Sequence, residues 1–140
     1  MAGFKFRFRE SGGAPTVLDL LFKDAETITK GDIANLETGE IDLGATNDDA
    51  LLGVVLETKL GVDSTNRSKV IVDEDAVYGV TDANARLAGA TLDLSGATGA
   101  QTVATSSNKD LLVARESSAT EETLVRINPN KHWSAGTAIQ

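Results

Sequence analysis

Short apolar runs, each cut off by Gly, Asp, Asn or Pro, recur along nearly the whole chain. They are Thr16–Lys23, Glu26–Lys30, Ile33–Glu37, Glu40–Leu43, Ala50–Leu60, Lys69–Glu74 and Ala76–Val80, then Thr91–Ser95, Gln101–Thr105, Asp110–Glu116 and Glu122–Asn128. Almost none reaches the ~10–12 residues a helical period needs, and strands of this length between turn residues point to a small β-barrel or sandwich. Ala50–Leu60 is the most apolar run and reads as a buried strand. Gly53 inside it signals a bulge or a close approach of backbones. One short helix is expected over Asp82–Gly89, capped by Thr81 or Asp82 and stopped by Gly89. Pro129 closes the last strand, and a polar tail completes the chain.

The start of the chain differs from the rest. In GFKFRFRE, Phe4, Phe6 and Phe8 fall on one side of an extended segment, and Lys5, Arg7 and Arg9 on the other. Residues 1–9 carry +3, whereas the remaining 10 basic and 21 acidic residues give −11, which together make the net −8. The segment has two readings. Alternation of this kind is how a half-buried first strand of the body looks. The Ser11–Pro15 hinge instead favours a separate arm over residues 1–15 that adds a strand to another chain, with its basic face on an acidic surface. The body would then span 16–133 and the tail 134–140.

With 140 residues the chain suits one domain, large enough to bury roughly two thirds of its unfolded surface. The absence of cysteine removes disulfides, thiolate nucleophiles and thiolate-held metals. The acidic balance argues against a nucleic-acid partner. No apolar run approaches the ~20 residues that cross a bilayer, and charges interrupt any signal-like apolar region, so no membrane partner is expected.

No catalytic template is assembled. The single histidine, His132, stands in a polar stretch and reads as an exposed or interface residue. The glycine-rich Ser95–Gln101 lacks the lysine of a phosphate loop and reads as a turn between strands. Asn47-Asp48-Asp49 and Asp73-Glu74-Asp75 offer calcium-type oxygens without EF-hand spacing, and read as solvated strand ends. A glycan-binding surface would have only Phe22, Tyr78 and Trp133 to stack on. Trp133 fits either a subunit interface or packing across the end of the fold. Neither an enzyme nor a cofactor or metal is expected.

The segments Lys30–Thr58, Val70–Val80, Gly89–Val113 and Glu122–Trp133 resemble the turn-and-strand pattern of tailed-phage head decoration proteins. The resemblance implies a mainly β, β-tulip-like fold and a non-enzymatic protein on the outer surface of the virion capsid, made in the host cytoplasm. It implies homotrimers at three-fold or quasi-three-fold sites that bind the major capsid protein of the expanded head and stabilise it against packaged DNA. It also implies that the arm residues Phe4, Lys5, Phe6, Arg7, Phe8 and Arg9 add a strand to a capsid subunit. A tail or head-completion component is the alternative, and a carbohydrate-binding module a more distant one.

Overall fold

The computed structural model describes residues 3–23, 26–60, 67–105 and 107–135. Met1, Ala2, most of the expected polar linker (61–66) and the tail beyond Ala135 lie outside the described residues. In chain order the strands are β1 (Phe4–Arg9), β2 (Val17–Leu21), β3 (Thr27–Ile28), β4 (Ile33–Glu37), β5 (Glu40–Leu43), β6 (Leu51–Val54) and β7 (Lys59–Leu60). They continue as β8 (Arg67–Ile71), β9 (Ala76–Val80), β10 (Thr91–Ser95), β11 (Thr102–Thr105), β12 (Leu111–Arg115) and β13 (Thr123–Ile127).

One sheet has six strands in the order β1-β9-β13-β12-β10-β11, and a second has three in the order β5-β4-β6. The pairs β2-β8 and β3-β7 complete the structure, and every ladder is antiparallel. The fold is mainly β and sandwich-like, without a closed barrel.

The three-stranded sheet is the middle layer. Successive residues of a strand point to opposite faces, and here both faces are apolar. Ile33, Leu51 and Val54 pack into a large core with Tyr78, Leu92, Leu111 and Val125 of the six-stranded sheet. Their neighbours Ala34, Leu52 and Val55 pack into a smaller core with Phe22, Ile28, Ile41 and Val70. A strand buried on both sides reads as an unbroken apolar run, as Ala50–Val55 does. Leu52 is an extra residue in β6, since Ala34 pairs with Gly53 and Asn35 with Leu51.

Buried polar side chains tie the loops to this frame. Asp93 accepts hydrogen bonds from the N–H groups of Ser107, Asn108 and Lys109 (3.1, 2.9 and 3.0 Å). Burial alone would raise its pKa; the loop N–H groups outweigh that and hold it below the usual carboxylate range. Asp110 accepts from the N–H groups of Asn47 and Leu94 (2.9 and 3.0 Å). Asp32 holds the Ser95–Gln101 turn through the Thr98 hydroxyl (2.6 Å) and the Gly99 N–H (3.0 Å). Gln101 acts as a splint between layers, accepting from the Ile33 N–H (2.6 Å) and donating to the Gly44 carbonyl (2.9 Å).

Two expectations fail here. Asp82–Gly89 is not helical: Arg86 instead exchanges backbone hydrogen bonds with Ser117 (3.0 and 2.9 Å). The segment has no apolar face to bury, and Leu87 stays 71% exposed. His132 is buried rather than exposed, because its backbone bridges to Leu51. Its Nδ1 lies 2.7 Å from the Ser134 hydroxyl, and burial pushes its pKa down. The only helical turns among the described residues are the 3-10 segments Pro129–Lys131 and Trp133–Ala135.

Candidate interaction surface

The strand expected as a separate arm lies in the chain's own sheet. β1 pairs with β9, and Phe4 is 1% exposed in the large core. An extended segment with apolar residues at every second position gains most by covering a nearby sheet edge with a matching face. Phe6 packs against the same core and meets Tyr78 edge-on, ring centres 6.4 Å apart.

The alternation does not persist to Phe8. Phe6 opposes Tyr78 while Phe8 opposes Val77, so Arg7 is an extra residue. A bulge of this kind reverses the facing of the residues beyond it. Phe8 therefore leaves the large core and lies beneath the Arg115 guanidinium, 5.3 Å from its ring centre.

Most of the strand's cations are also satisfied internally. Arg7 donates two bonds to Glu122 (2.7 and 2.6 Å). Arg9 donates to Asp75 (2.9 Å) and lies 3.6 Å from Asp73. Arg115 grips Glu10 through two bonds (2.6 and 3.0 Å). Lys5 alone of the three strand cations is exposed without an ion pair among the described residues.

The Ser11–Pro15 hinge is fastened by the acidic cluster considered for calcium. Asp75 accepts from both the N–H and the hydroxyl of Ser11, and Asp73 accepts from the Thr16 N–H (2.6 Å). Burial tends to raise Asp75, but the Ser11 and Arg9 hydrogen bonds prevail and hold its pKa at about 2. The ionised form is thus favoured by folding, and its contribution is complete above pH ~4 and lost as pH falls towards 2. Asp75→Asn is expected to lower stability at pH 7 by about 2 kcal/mol. Urea unfolding should show the gap from wild type narrowing between pH 4 and pH 2. A gap that stays constant would place the effect elsewhere.

Trp133 closes the small core: it packs on that cluster and its Nε1 donates to the Val72 carbonyl (3.1 Å). That is the packing role rather than a stacking platform.

Sequence reasoning did not find the cleft beside β1. It has a volume of about 550 Å3, with Phe4 and Phe6 on one side and Val54, Val55 and Leu56 on the other. Residues 54–56 reach β1 only through the layered fold, and no local signal in the sequence joins them. A smaller hollow of about 370 Å3 lies between Arg86–Leu87 and Glu116–Ser118.

No family model and no curated protein matches the chain. Among solved structures it is similar to the N base of head fiber gp8.5 of bacteriophage phi29. The TM-score is 0.52 at 15% identity, over 83% of this chain and 98% of that one. The two share a fold.

Proposed function

We propose that this chain is a non-enzymatic structural protein of a tailed-phage head, held on the outer surface of the shell. The observation that carries the reading is the fold likeness to the base of a head fiber, which covers nearly all of that base. The resemblance of Lys30–Thr58 and the later strand motifs to head decoration proteins supports the finer form. In that form the partner is the major capsid protein, and homotrimers at three-fold sites brace the expanded virion head against internal pressure. An acidic body suits a protein made in the host cytoplasm that must not adhere to nucleic acid before assembly. The same fold likeness favours a second reading, in which the chain is the base of a longer head appendage.

Co-sedimentation with expanded and unexpanded heads lacking this protein tests the reading. Saturable binding to expanded heads is the expected result, with weaker binding to unexpanded ones. Binding to neither form would overturn it. Counting bound copies per head tests the trimeric form, since three-fold sites give multiples of three around each axis.

A further inference from the structure

Beyond β13 the chain is docked by side chains rather than by a ladder. Pro129–Lys131 and Trp133–Ala135 are 3-10 turns, and one backbone bridge, His132 to Leu51, joins them to the middle sheet. His132 and Trp133 are the anchors. The imidazole is 1% exposed, and the indole packs on the small core and donates to the Val72 carbonyl. Lys131 adds a bond to Asn47 (3.0 Å) and lies 3.7 Å from Asp49.

The pocket around the imidazole is built for its neutral form. The Ser134 N–H donates to Nδ1 (3.2 Å), and the Ser134 hydroxyl lies 2.7 Å from the same atom. A backbone N–H can only donate, so Nδ1 is an acceptor and the ring proton sits on Nε2. Nε2 is buried beside the Leu52 and Val72 carbonyls without closing a hydrogen bond to either. A second proton must therefore enter at Nδ1, against the Ser134 N–H, and put a charge where water is excluded. Few charges face it. Glu74, 3.4 Å from the Ser134 hydroxyl, and Asp73 in the same turn both favour the cation, but burial outweighs them. Asp73 is already engaged by Arg9 and the Thr16 N–H, β6 presents only apolar residues and glycine, and Lys131 is turned to Asn47 and Asp49.

We propose that His132 is an acid-sensitive latch, whose protonation releases Pro129–Ala135 and uncovers the flank of the small core beneath Trp133 while the sheets stay folded. The docked form binds fewer protons than the released one. Docking is therefore complete above the ordinary histidine value of 6.5 and weakens as pH falls below it. Asp75 titrates in a separate window, at about 2. Release breaks one bridge and no strand pairing, so it can occur as a local opening. The latch is independent of shell attachment.

Trp133 is the only tryptophan, so its fluorescence reports the latch directly. Emission and acrylamide quenching are followed from about pH 7.5 to about pH 5, with hydrogen exchange of segment 76–80 as the monitor of the sheet. In the wild-type chain a red shift and a loss of shielding from acrylamide are expected on acidification, with exchange in 76–80 still slow. His132→Asn removes the titration and keeps an oxygen for the Ser134 N–H, so it should show no transition. Glu74→Gln, at an exposed position, deletes a charge that favours the docked cation and should move release to higher pH. If the smaller Asn leaves the segment undocked throughout, the direction of the Glu74→Gln shift decides. Flat wild-type emission would overturn the latch, as would a wild-type transition in His132→Asn or a Glu74→Gln transition at unchanged or lower pH. Exchange in 76–80 that rises together with the fluorescence change would make the event global unfolding and overturn it equally.

Discussion

Phe4→Ala is expected to destabilise the protein by about 3–5 kcal/mol, the range for emptying a buried aromatic site. Phe4 is 1% exposed among Ile33, Val54 and Val80 in the large core. Collapse around the gap is limited, because Gly31 fixes the strand's start through the Phe4 N–H and Gln101 accepts from the Gly3 N–H (2.9 Å). Phe8→Ala supplies the internal comparison. That ring lies outside the core and its partner is the Arg115 guanidinium, an interaction worth about 0.5–1 kcal/mol at an exposed site. Urea unfolding midpoints measure both. A large loss for Phe4→Ala beside a small one for Phe8→Ala is the signature of a bulged strand built into its own body. Similar small losses for both would mean that β1 leaves the sheet in solution, and the separate-arm reading would return.

How much of this was legible depended on how local the cause was. Ala76–Val80 and Thr91–Ser95 coincide with β9 and β10, because a short apolar run and its flanking turn residues are properties of a few neighbouring positions. Gly53 was likewise readable as a close approach, since a glycine in an apolar strand has few other uses. Which of its two readings holds for β1 was not readable. Its strand character is local, but its partner β9 and its ionic partners are not: Glu122 lies 115 positions from Arg7, and Asp75 lies 66 from Arg9. The Arg7 bulge, which sends Phe8 away from Phe4 and Phe6, exists only relative to β9.

Asp73-Glu74-Asp75 shows the same limit from the other side. Three consecutive acids look like ligands or solvated residues, yet Asp73 and Asp75 accept from the Thr16 and Ser11 N–H groups that arrive from the hinge. Asp82–Gly89 misled differently. Its end signals suit a helix, but signals at the ends cannot replace an apolar stripe that would dock it. The polar neighbours of His132 point to an exposed or interface residue, whereas the side chain is buried within the fold beside a backbone bridge to Leu51 in the middle sheet.

Gly53→Ala is expected to be at least as damaging as Phe4→Ala, because two rigid groups already occupy the space a methyl would need. A Cβ at Gly53 would fall far inside contact distance of the Ile71 carbonyl in β8 and meet the Tyr78 hydroxyl at 2.5 Å. Neither can yield cheaply. Ile71 is held between β2 and the large core, and Tyr78 is fully buried with its hydroxyl beside the Val54 backbone. The backbone at Gly53, with φ +152, is itself unfavourable for an L side chain. Overpacking alone costs about 1–3 kcal/mol, and a forced shift of β6 from β8 would open both cores at once, so a loss above ~4 kcal/mol is expected. Gly12→Ala is the control: its φ of +82 carries strain of about 1–2 kcal/mol, but nothing lies within 4 Å. Soluble yield and urea midpoint should therefore collapse for Gly53→Ala and fall modestly for Gly12→Ala. Adding Tyr78→Phe should not rescue Gly53→Ala, since it removes the hydroxyl and leaves the Ile71 carbonyl in place. Rescue by that second change would show that the phenol, not the closeness of β6 and β8, forbids a side chain there.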